Sequence, residues 1–263
     1  MSFLKNENEI NKYFNIGKYK SKYSNQVLEI IRKKFEDEND ERCEFQERIR
    51  NSSDEDLKLY IPDVYQKSIY NIDYGKLKKS GIKLISFDID DTITDIALNK
   101  INTYVPGLKI KMPEDAKALF KKLKVMGFTL TLLTNANAEL ASETCKQLKA
   151  DGFISRANKP ETLNFEIMQE QYGVDKSQMA HVGNDMRTDV LGGNRFGITT
   201  CLVRESGFST RLARFVKIRI GLPTKGHILR EELADRKLWY KHHQKVKNDQ
   251  YYQLDEEPVS HNR

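Results

Sequence analysis

The stretch LISFDIDDT, residues 84–92, decides the fold. Its first four residues predict a buried β-strand, and acidic residues follow at once. Short apolar runs of the same kind occur at 130–133, 153–154, 179–182 and 200–203, and segments with helical periodicity separate them. This alternation with short links predicts an α/β fold of three layers. The central layer is a doubly wound, mostly parallel sheet of about five strands, with helices on both faces.

Proline and glycine mark the helices between these strands. Pro113 and Pro160 each stand at the predicted start of a helix, where the missing N–H of proline costs no hydrogen bond. Gly127 is a predicted helix end, and another helix is predicted over about 138–149.

The composition divides the chain into three parts. Residues 1–60 are polar and strongly charged, and they predict a helical N-terminal extension with one or two amphipathic helices. Residues 61–229 contain the strand–helix alternation and form the predicted main domain. Residues 230–263 form a basic, polar C-terminal tail that is predicted to begin as helix and to fray at its end.

Positive charge is concentrated in one segment. The whole chain has 44 Lys and Arg against 38 Asp and Glu, a net charge of +6. Residues 211–247 alone hold eleven basic and three acidic residues, a local charge of +8. Such a segment suits phosphates, anionic lipid headgroups or nucleic acid, and it is equally typical of a solvated helix face.

The cysteines and the apolar runs exclude several classes of protein. Cys43, Cys145 and Cys201 are an odd number without close spacing, which excludes a disulfide scaffold and a zinc knuckle. No apolar run approaches the roughly 18 residues of a membrane span, and the first residues lack the apolar core of a secretion signal. We therefore expect a cytoplasmic protein, with peripheral contact with a membrane left open.

Polar residues follow four of the predicted strands. The carboxyl ends of parallel strands meet at one edge of a sheet, where such folds bind ligands. The residues are Asp88, Asp90, Asp91 and Thr92 after the first strand, Thr134 and Asn135 after the second, Asn158 and Lys159 after the third, and Asn184, Asp185 and Asp189 after the fourth.

This set of side chains suits phosphoryl transfer. A carboxylate that attacks phosphorus needs its charge masked, and a Mg²⁺ ion held by oxygen ligands does that. Lysine, hydroxyl and amide donors stabilise the charge on the transferred group. A second carboxylic acid protonates the leaving oxygen.

Four short motifs, in this order, carry a resemblance to a known family. They are LISFDIDDT, LTLLTN, ANKP and HVGNDMRTD, at 84–92, 130–135, 157–160 and 181–189. The chain resembles the haloacid dehalogenase-like (HAD) superfamily of phosphatases, which have a Rossmann-type sheet.

A narrower resemblance covers residues 61–229. The stretch 62–92, the motif ANKP, and the segments TDVLGGNRFGITTCLV (188–203) and GFSTRLARFVKIRIGLPTKGHI (207–228) are similar to the YqeG-type branch, HAD subclass IIIA. That branch includes phosphatidylglycerophosphate phosphatases.

The resemblance implies a Mg²⁺-dependent phosphomonoester hydrolase that acts through an aspartyl-phosphate. Asp88 is the implied nucleophile, and Asp90 the acid for the leaving group and then the base for water. Thr134 and Asn135 hold the phosphoryl oxygens, and Lys159 ties the phosphate to Asp88. The metal is held by Asp88, the main-chain carbonyl of Asp90 and the fourth motif.

The fourth motif departs from the pattern of the branch. The branch usually reads GDQ there, whereas this chain has Asn184 at the usual aspartate position. An asparagine oxygen still binds Mg²⁺ but adds no charge, which lowers the affinity; alternatively Asp185 or Asp189 supplies the carboxylate. Asp91 also stands where the branch commonly has Asn, and it adds negative charge beside the nucleophile.

The spacing of the motifs predicts an open site without a large cap. About twenty residues separate Thr92 from Pro113, and 23 separate Asn135 from Lys159. An open site suits a large phosphorylated substrate such as a lipid headgroup, a nucleic-acid end or a phosphoprotein, and the basic segment suits an anionic membrane. The alternatives are a phosphatase for soluble metabolites or polynucleotide ends, and a non-catalytic protein that binds RNA or a protein partner.

Individual site residues also have plain structural interpretations. Thr134 or Asn135 would then cap a helix, and Lys159 would be a surface lysine. Asp185 and Asp189 would support their neighbours by hydrogen bonds instead of binding the metal. For His181, on a buried strand, the structural interpretation is favoured: a satisfied core histidine.

Overall fold

A computed structural model describes residues 37, 40–94, 111–204 and 224–239. Within these residues one parallel sheet has six strands in the order β1-β6-β5-β2-β3-β4. The strands are β1 (Val64–Gln66), β2 (Leu84–Phe87), β3 (Thr129–Leu133), β4 (Gly152–Ile154), β5 (Met179–Gly183) and β6 (Thr199–Val203). The predicted α/β fold with a doubly wound parallel sheet is confirmed.

The sheet has one strand more than the five that the sequence predicts. The additional strand is β1, which pairs with β6 in the register Val64 to Cys201 and forms one edge of the sheet. Its three residues are all buried. Its residues, Val64, Tyr65 and Gln66, do not form an apolar run like those of the predicted strands, which is why the sequence pattern misses it.

Helices connect the strands and cover both faces of the sheet. They are α1 (40–51), α2 (Asp54–Lys58), α3 (Tyr74–Lys79), α4 (Glu114–Val125), α5 (Ala138–Leu148), α6 (Leu163–Tyr172), α7 (Leu191–Phe196) and α8 (Lys225–Asp235). A π-helical turn, Met186–Val190, leads into α7. Pro113 directly precedes α4 as predicted, whereas α6 begins three residues after Pro160. Within residues 111–204 no inserted cap domain interrupts this order.

Alternate residues of β2 face opposite layers. Ile85 and Phe87 pack in a cluster with side chains of α3, α4 and α5, and the rings of Phe87 and Phe120 lie 4.9 Å apart. Leu84 packs in a different cluster, with Phe165 of α6. Burying each such side chain contributes about 1.5–3 kcal/mol. β2 is therefore packed on both of its faces.

A third cluster joins the flanking helices to the sheet. Phe45 of α1, Leu229 of α8 and Trp239 pack with β1 and β6, and the Trp239 ring stands edge-on to Tyr65 at 5.5 Å. Side chains from the predicted extension and tail thus contribute to the core, and the division into three parts stays a prediction. Residues 1–36, and most of the basic segment 211–247, lie outside the described residues.

The helices offer no membrane span. Among the described residues, no helix is both long and apolar enough to cross a bilayer.

Candidate active site

The central strands bring the predicted residues together at the carboxyl edge of the sheet. β2 lies between β3 and β5, and the Asp88 N–H extends the ladder by donating to the Val182 carbonyl at 2.9 Å. Thr134 follows β3, and the fourth motif follows β5. Asp88, Lys159 and Asp189 meet here as buried side chains.

The Lys159 ammonium is the centre of the cluster. It donates to Asp88 Oδ1 and Asp189 Oδ1, both at 2.6 Å, and to the Leu133 carbonyl at 3.0 Å. These bonds use all three donors of the group, and only 3% of its side chain is exposed. Burial alone would lower the pKa of Lys159, but the two carboxylates raise it above its ordinary value. Lys159 is therefore a buried cation that links two anions, not a surface lysine.

The two oxygens of Asp88 have different partners: Oδ1 accepts from Lys159, and Oδ2 faces Thr92. Burial raises the pKa of Asp88 to about 7, helped by the charges of Asp189 and Asp90 and opposed by Lys159. Its Oδ2 lies 3.4 Å from the hydroxyl of Thr92.

The turn after β2 separates the two carboxylates of the first motif. Asp88 is buried, whereas Asp90 is half-buried, and its backbone forms an isolated β-bridge with Thr94. Asp91 has a φ of 56°, in the left-handed region that Asn and Asp tolerate better than most residues. This preference gives a physical reason for an Asp at this position.

The carboxylates of Asp185 and Asp189 both accept hydrogen bonds from other groups of the protein. Asp189 Oδ1 also lies 3.2 Å from His181 Nε2, and Asp189 Oδ2 accepts from the Asp185 N–H at 3.0 Å. Burial would raise the pKa of Asp189, but Lys159 and His181 lower it below its ordinary value. The Asp185 carboxylate accepts from the backbone N–H of Arg187 at 2.8 Å and forms an ion pair with its guanidinium.

The side chain of Asn184 contacts Thr92. It is half-buried, and its Oδ1 lies 3.4 Å from the Thr92 hydroxyl. Oδ2 of Asp88 and the amide oxygen of Asn184 therefore flank the same hydroxyl, that of Thr92. These are hard oxygen ligands of the kind that Mg²⁺ prefers. In the described ranges, no group of three or more His, Cys, Asp or Glu side chains is arranged to hold a metal. A metal here would be held by the Asp88 carboxylate together with an amide oxygen and a main-chain oxygen, and the residues fit that chemistry.

Neither Thr134 nor Asn135 caps the following helix. The N-cap of α5 is Asn137, whose side chain accepts from the Leu140 N–H. Thr134 Oγ1 accepts from the Ala136 N–H at 3.1 Å, and Asn135 Oδ1 accepts from the backbone N–H of Lys159 at 3.0 Å. Asn135 thus fixes the loop that carries the buried lysine.

The sequence pattern misses two contacts of the site. His181 is a buried histidine with hydrogen bonds, as predicted, but one of its partners is Asp189 of the site itself. Its other partner is Ser86 of the first motif, which the sequence analysis leaves out. The available signal is that Ser86 and His181 are polar residues inside otherwise apolar strands.

Gly183 leaves room for Asp189, and this predicts a measurable cost for adding a methyl group. A Cβ at Gly183 would lie 2.2 Å from Asp189 Cγ, and the hydrogen bonds of Asp189 prevent it from moving away. We expect Gly183→Ala to lower the free energy of unfolding by about 1–3 kcal/mol in urea denaturation. Gly226→Ala is the control, because a Cβ there meets nothing within 4 Å. Equal losses in the two variants would contradict this account.

Known proteins match the chain over this region. Residues 156–219 match the family model described as HAD-hydrolase-like. The chain is 32% identical to the probable phosphatase YqeG of Bacillus subtilis (strain 168) over 181 residues, 66% of this chain and 98% of that protein. It is 27% identical to phosphatidylglycerophosphate phosphatase 1 (chloroplastic/mitochondrial) of Arabidopsis thaliana over 178 residues, 63% of this chain and 48% of that protein.

Among solved structures, the chain matches the cobalt-bound form of the deoxy-D-mannose-octulosonate 8-phosphate phosphatase of Haemophilus influenzae. It is 17% identical, covers 56% of this chain and 92% of its own, and has a TM-score of 0.39.

The chain matches YqeG over nearly the whole length of that protein. Its structure has a parallel sheet with a buried lysine–carboxylate cluster at the carboxyl edge. The chain belongs to the haloacid dehalogenase superfamily. Within it, the protein is a phosphatase.

Proposed function

We propose that the protein is a Mg²⁺-dependent phosphomonoester hydrolase of the subclass IIIA, YqeG-type branch, acting through an aspartyl-phosphate on Asp88. The observation that carries the proposal is the environment of Asp88. One oxygen is held by a buried ammonium, and the other lies 3.4 Å from the Thr92 hydroxyl, which is also 3.4 Å from the amide oxygen of Asn184.

The proposed reaction has two steps. An oxygen of Asp88 forms a bond to phosphorus while the ester bond from phosphorus to the leaving oxygen breaks, and Asp90 gives its proton to that oxygen. Water then attacks the aspartyl-phosphate and passes a proton to Asp90, which releases phosphate and restores Asp88. The greater exposure of Asp90 suits a group that exchanges protons with substrate and water.

Thr134 and Asn135 are the proposed donors to the phosphoryl oxygens. The Thr134 hydroxyl accepts a hydrogen bond from the Ala136 N–H, which leaves its own proton to donate. The oxygen of Asn135 accepts from the backbone of Lys159, which leaves its amide hydrogens for the substrate. The three donors of Lys159 are used within the protein, so Lys159 acts on the phosphate through its charge.

Asp88, Asp90 and Asn184 are the proposed residues that hold Mg²⁺, Asp90 through its main-chain carbonyl. The ion would mask the charge of the nucleophile and polarise the phosphoryl group. The carboxylates of Asp185 and Asp189 are engaged by other groups, which supports a hydrogen-bonding role for both.

The neutral side chain of Asn184 predicts weak metal binding that a carboxylate would strengthen. We expect Asn184→Asp to bind Mg²⁺ about tenfold more tightly in isothermal titration calorimetry, a gain of about 1.4 kcal/mol. Asp185→Asn is the matched control, because it changes the charge at the next residue without touching the proposed ligand set. A larger effect at Asp185 than at Asn184 would assign the third ligand to Asp185.

The proposed substrate is a phosphomonoester on a large or lipid-linked group, met by a cytoplasmic protein at an anionic membrane surface. The name of the Arabidopsis relative and the local charge of +8 over residues 211–247 support this class.

The test measures inorganic phosphate release with Mg²⁺ and with a chelator. Phosphatidylglycerophosphate in vesicles is compared with soluble phosphomonoesters and 5′-phosphorylated oligonucleotides. Metal-dependent release that is fastest from the vesicles supports the proposal in full. Faster release from a soluble substrate overturns the lipid assignment, and no release from any substrate by folded protein overturns the hydrolase.

A further inference from the structure

A row of polar side chains crosses the sheet beneath the site, on the face that α6 packs against. Ser86 of β2 stands opposite Thr131 of β3 on one side and His181 of β5 on the other, and His181 stands opposite Thr200 of β6. All four residues are at most 1% exposed. Buried polar groups are costly unless they are hydrogen-bonded, so the partners of each identify its role.

His181 connects this row to the site. Its Nδ1 lies 2.8 Å from Ser86 Oγ, and its Nε2 lies 3.2 Å from Asp189 Oδ1. The imidazole also packs against the Phe165 ring in a T-shaped arrangement, with the ring centres 5.4 Å apart. The ring is therefore held at both nitrogens and by packing against Phe165.

Hydrogen-bond chemistry assigns the protons of this ring. An ionised Asp189 only accepts, so Nε2 must carry a hydrogen. Ser86 Oγ is closer to Nδ1, at 2.8 Å, than to the Ala180 carbonyl, at 3.3 Å. The serine hydroxyl therefore donates to Nδ1, which selects the neutral ring protonated at Nε2.

We infer that His181 is a positioning residue for the nucleophile. It donates from Nε2 to Asp189, which fixes the carboxylate that holds the Lys159 ammonium against Asp88, and Ser86 selects the tautomer that makes this possible. The inference rests on the proposed function for its effect on turnover, while the hydrogen-bond chain itself is testable without it.

The chain of hydrogen bonds from Ser86 to Lys159 depends on one shared acceptor. Asp189 Oδ1 accepts from both His181 and Lys159. Without the His181 donor, the carboxylate loses one of the bonds that fix its rotation, and the ammonium loses its fixed position beside Asp88. Groups that orient the residues of a site in this way commonly contribute roughly 10–100-fold to activity.

The kinetic experiment compares three single variants in the full chain. His181→Leu removes the donor, and His181→Gln restores an N–H near the position of Nε2. Thr131→Val is the matched control, because it removes a buried hydroxyl of the same row whose contact is Met168 rather than the site. We expect kcat to fall roughly 10–100-fold in His181→Leu with KM unchanged, to recover most of this loss in His181→Gln, and to stay at the wild-type level in Thr131→Val.

The spectroscopic experiment needs no substrate. A buried ammonium with three acceptors gives a protected ¹H–¹⁵N signal in NMR, assigned to Lys159 by its loss in Lys159→Met. We expect this signal to disappear or broaden in His181→Leu, to return in His181→Gln, and to persist in Thr131→Val. The ¹⁵N shifts of the His181 ring should report the neutral Nε2–H tautomer in wild type and a mixture of tautomers in Ser86→Ala.

The two measurements separate failure of the inference from failure of the proposed function. An unchanged Lys159 signal in folded His181→Leu overturns the inference whether or not the protein hydrolyses phosphate. A kcat loss that His181→Gln does not recover, or that Thr131→Val shares, also overturns it. A protein without hydrolase activity that still shows the predicted NMR changes refutes the proposed function and retains the hydrogen-bond chain.

Discussion

Asp88→Asn is expected to slow phosphate release by at least about 10⁴-fold while the protein stays folded. An amide oxygen is too weak a nucleophile to form the acyl phosphate, and removing a nucleophile commonly abolishes covalent catalysis to this degree. The fold should persist because the amide oxygen of Asn still accepts from Lys159 and because a buried charge is removed. The measurement is phosphate release with Mg²⁺, beside circular dichroism of both proteins.

The pH dependence of stability provides an independent check on the same variant. The pKa of Asp88 in the folded, metal-free protein is about 7, above its ordinary value, because of burial first and then its acidic neighbours. The folded state therefore binds a proton that the unfolded state has lost, and this contribution to stability falls as pH rises from about 4 to about 7. We expect the decline to be smaller in Asp88→Asn.

Two results would contradict this account of Asp88. Release that survives in Asp88→Asn would assign the nucleophile to another group. An identical pH dependence of stability in the two proteins would show that Asp88 ionises as an exposed carboxyl does. Asp115→Asn is a suitable control, because it removes an exposed carboxylate from the first turn of α4.

The fold could be predicted because its signals are local and repeated. Each of β2, β3 and β5 is a short apolar run followed by a polar motif, and the order of these runs implies a parallel sheet. β1 could not be predicted, since its residues do not form an apolar run and its pairing with β6 is made by residues far apart in the chain. The packing of Trp239 against Tyr65 is likewise set by tertiary structure.

The site could be predicted as a group of residues but not as a set of contacts. The rule that strand ends share one edge brings Asp88, Lys159 and Asp189 together. It does not tell which carboxylates bond to the lysine, because that depends on side-chain directions. The choice among Asn184, Asp185 and Asp189 is of this kind: Arg187 engages Asp185, Lys159 engages Asp189, and sequence spacing encodes neither contact.

Lys159→Met should be the most destabilising change in the site and should also abolish activity. It removes the cation between Asp88 and Asp189, each 2.6 Å from the ammonium, and leaves two buried carboxylates without a counter-charge. Breaking a buried ion pair by removing one partner costs about 3–5 kcal/mol. Urea denaturation near neutral pH should show a loss of this size relative to wild type.

The pH dependence of that loss distinguishes lost charge pairing from lost packing. Without Lys159, the pKa of Asp88 rises further above its unfolded value, and the pKa of Asp189 is no longer held below it. The folded variant therefore binds more protons than the folded wild type at the same pH. The deficit relative to wild type should therefore shrink as pH falls from about 8 toward 5. Adding Asp189→Asn to Lys159→Met removes one unpaired charge and should recover part of the stability near neutral pH, without activity. A deficit that is independent of pH and unaffected by the second substitution would mean that the aliphatic stem of Lys159, rather than its charge, stabilises the site.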